Sequence, residues 1–111
     1  LIEINFYLNS SGSLRVDVTP TYELLGDFIQ LDIVERVGFC RELIQAVDNA
    51  IAGKVEEFSI TLDACTLILT PEKAQIVLSV VEPPPFLDLS LIDLKQALTK
   101  YLAFAEAQGW K

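Results

Sequence analysis

The groups in this sequence able to do chemistry are sixteen carboxylates, three tyrosines and two cysteines, and there is no histidine. Without an imidazole, Ser-His-Asp and Cys-His nucleophilic pairs are excluded. General acid–base work would fall to carboxylates, lysines or tyrosines, with Tyr22 or Tyr101 as the partner of an acid. A zinc site would need Cys40 and Cys65 together with two carboxylates, an uncommon set for structural zinc. The glycines Gly12, Gly26, Gly38, Gly53 and Gly109 stand singly, so no phosphate-cradling loop is present, and the EF-hand pattern is missing. Two acidic groupings remain. Glu56-Glu57 sits at a strand entrance, and Glu35, Glu42 and Asn49 recur at seven-residue steps along one helix side. Paired carboxylates can hold a cation, but with Arg36 and Arg41 interspersed the second group has the character of a solvated helix face. Phe6, Phe39, Phe58, Tyr101 and Phe104 read as core or interface, since few cations accompany them as a stacking platform would require. No catalytic residue, metal ligand or cofactor site is assigned.

The balance of the chain narrows its partners. Its 111 residues suit one domain, residues 1–111, with a core that needs no staples. At 51 % hydrophobic, 22 % charged and a mean hydropathy of +0.40, disorder is excluded, and there is more apolar material than one small copy easily hides. The net charge of −8 disfavours nucleic acid and anionic membranes. No apolar run reaches the roughly 18 residues a spanning helix needs. Leu1-Ile2-Glu3-Ile4-Asn5-Phe6 lacks the basic segment and cleavage site of a signal peptide, and a cytoplasmic setting is expected. Two cysteines are too few for a disulfide framework. Cys40 and Cys65 read as reduced thiols, one of them a small core residue.

The element that must position everything else is the stretch Asp32–Gly53. Ile33, Val37, Cys40, Ile44, Val47 and Ile51 recur with helical spacing, flanked by Phe39, Leu43, Ala46 and Ala50. Asp32 with Glu35 three residues on predicts an N-cap and capping box, and Gly53 a left-handed stop. Gly38 inside that helix suggests close approach of a neighbouring backbone. Before it, residues 1–8 and 14–18 alternate as two strands of a hairpin around Asn9–Ser13, and Pro20 ends the second. Residues 21–31 are ambiguous, with Gly26-Asp27 read as a break. After the helix, strands are expected near 58–62, 66–70 and 74–81, with Asp63-Ala64 and Thr70-Pro71-Glu72-Lys73 as turns. The third, apolar on both faces, should be central or covered on both sides. Glu82-Pro83-Pro84-Pro85-Phe86 reads as a stiff extended connector. Ser90 with Asp93 caps a last helix whose stripe is Leu91, Leu94, Leu98, Tyr101 and Ala105. Leu89 and Leu94 staple its start, and Trp110 folds back past Gly109. The predicted fold is α+β: a mostly antiparallel five-stranded sheet with two helices on one face, in the order β-β-α-β-β-β-α.

Gly12-Ser13-Leu14-Arg15-Val16, followed by Tyr22-Glu23-Leu24-Leu25-Gly26, resembles the N-terminal part of the small bacterial YacL-like family, and the last helix, with Leu94, Leu98, Tyr101 and Phe104, is similar too. Tyr22 stands where the family has a histidine. The resemblance implies a fold and carries no activity or functional residue.

Surplus apolar residues and missing catalytic groups lead to the expectation of a non-enzymatic interaction protein, a homodimer formed through an apolar patch with an acidic surround. A net charge of −8 on a small domain motivates a second reading, an acidic inhibitor or immunity-type protein covering a basic partner. The third is a small enzyme or ligand-binding domain built on a carboxylate, which needs a pocket around an acid of raised pKa.

Overall fold

A computed structural model describes residues 2–111. The first hairpin forms as the alternation predicts. Strand β1 (Ile4–Leu8) pairs antiparallel with β2 (Leu14–Val18), Phe6 lying opposite Val16. Leu1, at the start of the predicted strand, lies outside the described residues. Asn9 Oδ1 accepts the N–H groups of Ser11 and Ser13, at 3.0 and 2.9 Å, and Gly12 takes the left-handed φ of +80° that the turn needs.

The ambiguous stretch is helical. Helix α1 (Glu23–Phe28) continues into a π-helical turn at Ile29–Ile33. Gly26 does not break it. A Cβ built there would stand 3.3 Å from Val16 Cγ1 and 3.4 Å from Val18 Cγ1, so the missing side chain lets the helix lie against β2. Leu25, Phe28, Ile29 and Ile33 are fully buried.

Helix α2 runs Val37–Ile51, shorter than expected. Asp32 is not its N-cap: the chain is extended at Val34, and Glu35 takes φ +58° before the helix starts. The buried side is turned toward the predicted flank. Leu43, Ala46 and Ala50 are buried with Val37, Cys40 and Val47, while Ile51 is exposed. Gly38 meets no atom within 4 Å of a built Cβ, so close backbone approach is not its reason.

The predicted three-strand meander gains a fourth member. Strands β3 (Phe58–Thr61), β4 (Cys65–Leu69), β5 (Ala74–Leu78) and β6 (Phe86–Leu89) form an antiparallel sheet in that order, with β5 inside it as predicted. The proline connector leads into β6, which pairs Leu87 with Ile76. Helix α3 (Leu91–Ala107) follows at once. Ser90 Oγ accepts the Asp93 N–H at 3.0 Å, and Trp110 N–H folds back onto Ala105 O at 3.0 Å past Gly109 at φ +79°.

The α+β class therefore holds, but the single five-stranded sheet does not. The hairpin is a separate two-stranded sheet. Alpha helix α1 lies between it and the larger sheet, touching β2, β5 and β6. Helix α2 packs on β4 and chiefly on α3, and α3 reaches β1, so the helices form a layer of their own rather than lying side by side on one sheet face. One core joins all parts, with Cys65, Leu67, Leu69 and Ile76 from the sheet meeting Leu94, Leu98 and Tyr101 of α3.

Candidate functional site

The residues singled out for chemistry are mostly dispersed or spent on the fold. Both cysteines are free and fully buried. Burial pushes the Cys40 thiol up to about 11, against a smaller downward pull from Arg41. Burial, reinforced by the Asp32 carboxylate beside it, pushes Cys65 up to about 12. Neither is poised as a thiolate nucleophile at neutral pH. Glu56 and Glu57 are both exposed at the mouth of β3. Glu35 precedes α2, so the seven-residue line through Glu42 and Asn49 does not extend to it. Among the described residues no group of three or more acidic or cysteine side chains could hold a metal ion.

Tyr101 is fully buried, and its hydroxyl accepts the Glu35 N–H at 2.8 Å while donating to Ile33 O at 3.4 Å. Burial raises its pKa above the ordinary tyrosine value, partly countered by the Glu35 bond. Tyr22 packs at the edge of the core. The acid with a raised pKa is Asp27, through partial burial and then the neighbouring Glu23.

Sequence reasoning overlooked Asp32 as a core residue. It is 2 % exposed, and its carboxylate accepts the N–H groups of Ala64 at 3.0 Å and Cys65 at 2.8 Å. Each carboxylate oxygen takes one of these donors, so this acid serves the fold.

What the fold leaves unused is a run at the end of the larger sheet. Val80, Val81 and Phe86 are 66, 43 and 62 % exposed, and Pro83, Pro84 and Pro85 between them are exposed as well. Exposed apolar side chains gathered in one run, rather than scattered singly, mark a candidate interaction surface. It was expected that residues 74–81 form one strand. Instead β5 stops at Leu78, where Val81 N–H closes a turn onto Leu78 O at 3.3 Å just past the last rungs of its two ladders, Ser79 N–H to Ala64 O at 3.0 Å and Leu78 N–H to Pro85 O at 2.9 Å.

The same bond fixes the direction of the β6 backbone. With Pro85 and Leu78 hydrogen-bonded, the alternation of an antiparallel ladder aims Leu87 and Leu89 at β5, and the N–H and C=O of Phe86 and Asp88 at the free edge. Among the described residues no group accepts from those two N–H groups. The sheet face beside this edge carries Val77 next to Phe86, and Gln75 next to Asp88. Asp88 is held below the usual carboxylate range by hydrogen bonds from Lys73, at 3.1 Å, and Gln75, at 2.9 Å. Glu82 adds a second acid inside the run.

Comparison with family models, with curated proteins and with solved structures finds no match to this chain. No helix among the described residues is long and apolar enough to cross a membrane.

Proposed function

We propose that this is a non-enzymatic interaction protein that associates with a second copy of itself through the Val80–Phe86 run and the β6 edge. The observation that carries this reading is the adjacency of an exposed apolar run to a strand edge with unused donors. The outward positions, Phe86 and Asp88, lie symmetrically about Leu87. Two copies of β6 laid antiparallel would set Phe86 of one protomer opposite Asp88 of its partner, with reciprocal backbone bonds on both sides of a twofold axis. Pro83, Pro84 and Pro85 have no N–H to donate, so the paired segment stays short. The surrounding apolar side chains supply the burial that a short ladder lacks.

Light scattering across a concentration series tests the reading. A mass of twice 12.3 kDa is expected at high concentration, falling to the single-chain mass in Phe86→Lys while the circular dichroism spectrum stays unchanged. A single-chain mass at every concentration of the unaltered protein would remove it.

A further inference from the structure

Away from that edge, a cleft opens between the far end of the hairpin and the break that precedes α2. Leu8, Arg15, Gln30, Val34, Glu35 and Trp110 line it, and it encloses about 360 Å³. This lies at the small end of the ~300–1,000 Å³ typical of ligand pockets, a size for one small molecule rather than a nucleotide.

Its charged groups are uncommitted. Arg15 spends one N–H on Leu14 O at 2.9 Å, and among the described residues neither it nor Glu35 forms an ion pair. Glu35 is costly to keep where it is. At φ +58° an L side chain is disfavoured by roughly 1–2 kcal/mol, and glycine would fit better. Folding gains nothing evident from that side chain, because the contact that holds the turn is made by its backbone N–H to Tyr101. Backbone strain that carries an exposed functional group to the wall of a cleft is a recognised mark of binding sites.

The apolar wall is fixed in advance. Trp110 is half-buried, its ring edge-on to Phe104 at 5.9 Å, and Phe104 leans on Phe6, which meets Tyr101 at 5.4 Å. One guanidinium, one carboxylate and a locked indole share one concavity.

We propose that this cleft binds a small zwitterion, an aliphatic amino acid whose carboxylate pairs with Arg15, whose ammonium pairs with Glu35, and whose side chain lies against Trp110 and Val34. Arg15 keeps donors free for a carboxylate. A single cation on a chain of net charge −8 does not suit a phosphorylated ligand, and a single carboxylate does not make a metal site.

Trp110 is the sole tryptophan, so intrinsic fluorescence reports on this wall alone. The probes are L-leucine, 4-methylpentanoate, which lacks the amine, and 3-methylbutylamine, which lacks the carboxylate. A saturable change with L-leucine is expected, with at least about tenfold weaker binding of both analogues. Glu35→Gly should fold, melt higher and lose binding by at least about tenfold, and Arg15→Gln should lose it with an unchanged melting temperature. No saturable change at about 10 mM L-leucine, equal responses to all three probes, or undiminished affinity in either variant overturns the proposal. Self-association does not enter this test, which reads the same on a monomer.

Discussion

Asp32 and Cys65 stand 33 residues apart in sequence, yet the carboxylate of one accepts the backbone N–H of the other at 2.8 Å. With the companion bond from Ala64, this fastens the π-helical turn to the start of β4. A charged acceptor shared by one buried and one half-buried donor makes stronger bonds than a neutral one. Asp32→Ala leaves both N–H groups without a partner and should cost about 3 kcal/mol, and Asp32→Asn, which keeps one acceptor, about 2 kcal/mol. Urea unfolding with an unchanged slope checks both values. A loss below about 0.5 kcal/mol in the alanine variant would show that the fastening is dispensable.

The two helical glycines should respond in opposite ways. Gly38 has open space around it and an ordinary φ, so Gly38→Ala should stabilise by about 0.5 kcal/mol through helix propensity. Gly26→Ala gains the same propensity but drives a methyl against Val16 and Val18, whose branched side chains yield little. It should destabilise by about 1 kcal/mol. Thermal melts of the two variants side by side decide the matter.

The left-handed turn before α2 offers a third pair. Tyr101→Phe removes the acceptor of the Glu35 N–H and should cost about 1–2 kcal/mol. Glu35→Gly relieves the positive φ and should gain about 0.5–1 kcal/mol. Chemical denaturation of each variant would reveal the opposite signs.

Stability should be lost at alkaline pH. Cys40, Cys65 and Tyr101 all bind their protons more tightly when folded, since burial disfavours their anions. Below the ordinary thiol value both states are protonated and nothing changes. As pH rises from about 9 towards the folded-state values, the unfolded chain releases protons that the folded chain retains, and stability falls. Melting temperature should be flat up to about pH 9 and decline steadily above it. Cys65→Ala should flatten part of that decline, and an identical profile in the variant would contradict the assignment.

The sequence made the local pieces legible. The alternation of the first hairpin, the turns at Asp63-Ala64 and Thr70–Lys73, the Ser90 cap and the fold-back at Trp110 each depend on residues close together, and each is present. What stayed hidden depends on distant partners. Asp32 has the look of an N-cap, because the donors it serves come from a turn 32 and 33 residues away. Gly26 reads as a helix breaker until the valines of β2 are placed beside it. Strand β6 is masked by three prolines that precede it, although only Pro85 touches the ladder, and it does so through its carbonyl. The surplus of apolar residues was visible in composition, but its concentration at Val80–Phe86 follows from where β5 stops. The cleft had no sequence signal, since Arg15, Glu35 and Trp110 belong to three separate segments.

Among the described residues, no main-chain hydrogen bond ties the β1–β2 hairpin to the four-stranded sheet or to the two longer helices. Side chains alone hold it there, with the Lys100 ammonium reaching Ile4 O as a guy-rope. The hairpin is therefore joined to the rest by side-chain packing, with Ile4 and Leu14 buried in the shared core and Phe6 packed on Tyr101. Because Arg15 belongs to the hairpin while Glu35 and Trp110 lie outside it, a molecule bridging the opposite charges would add a polar tie across that seam.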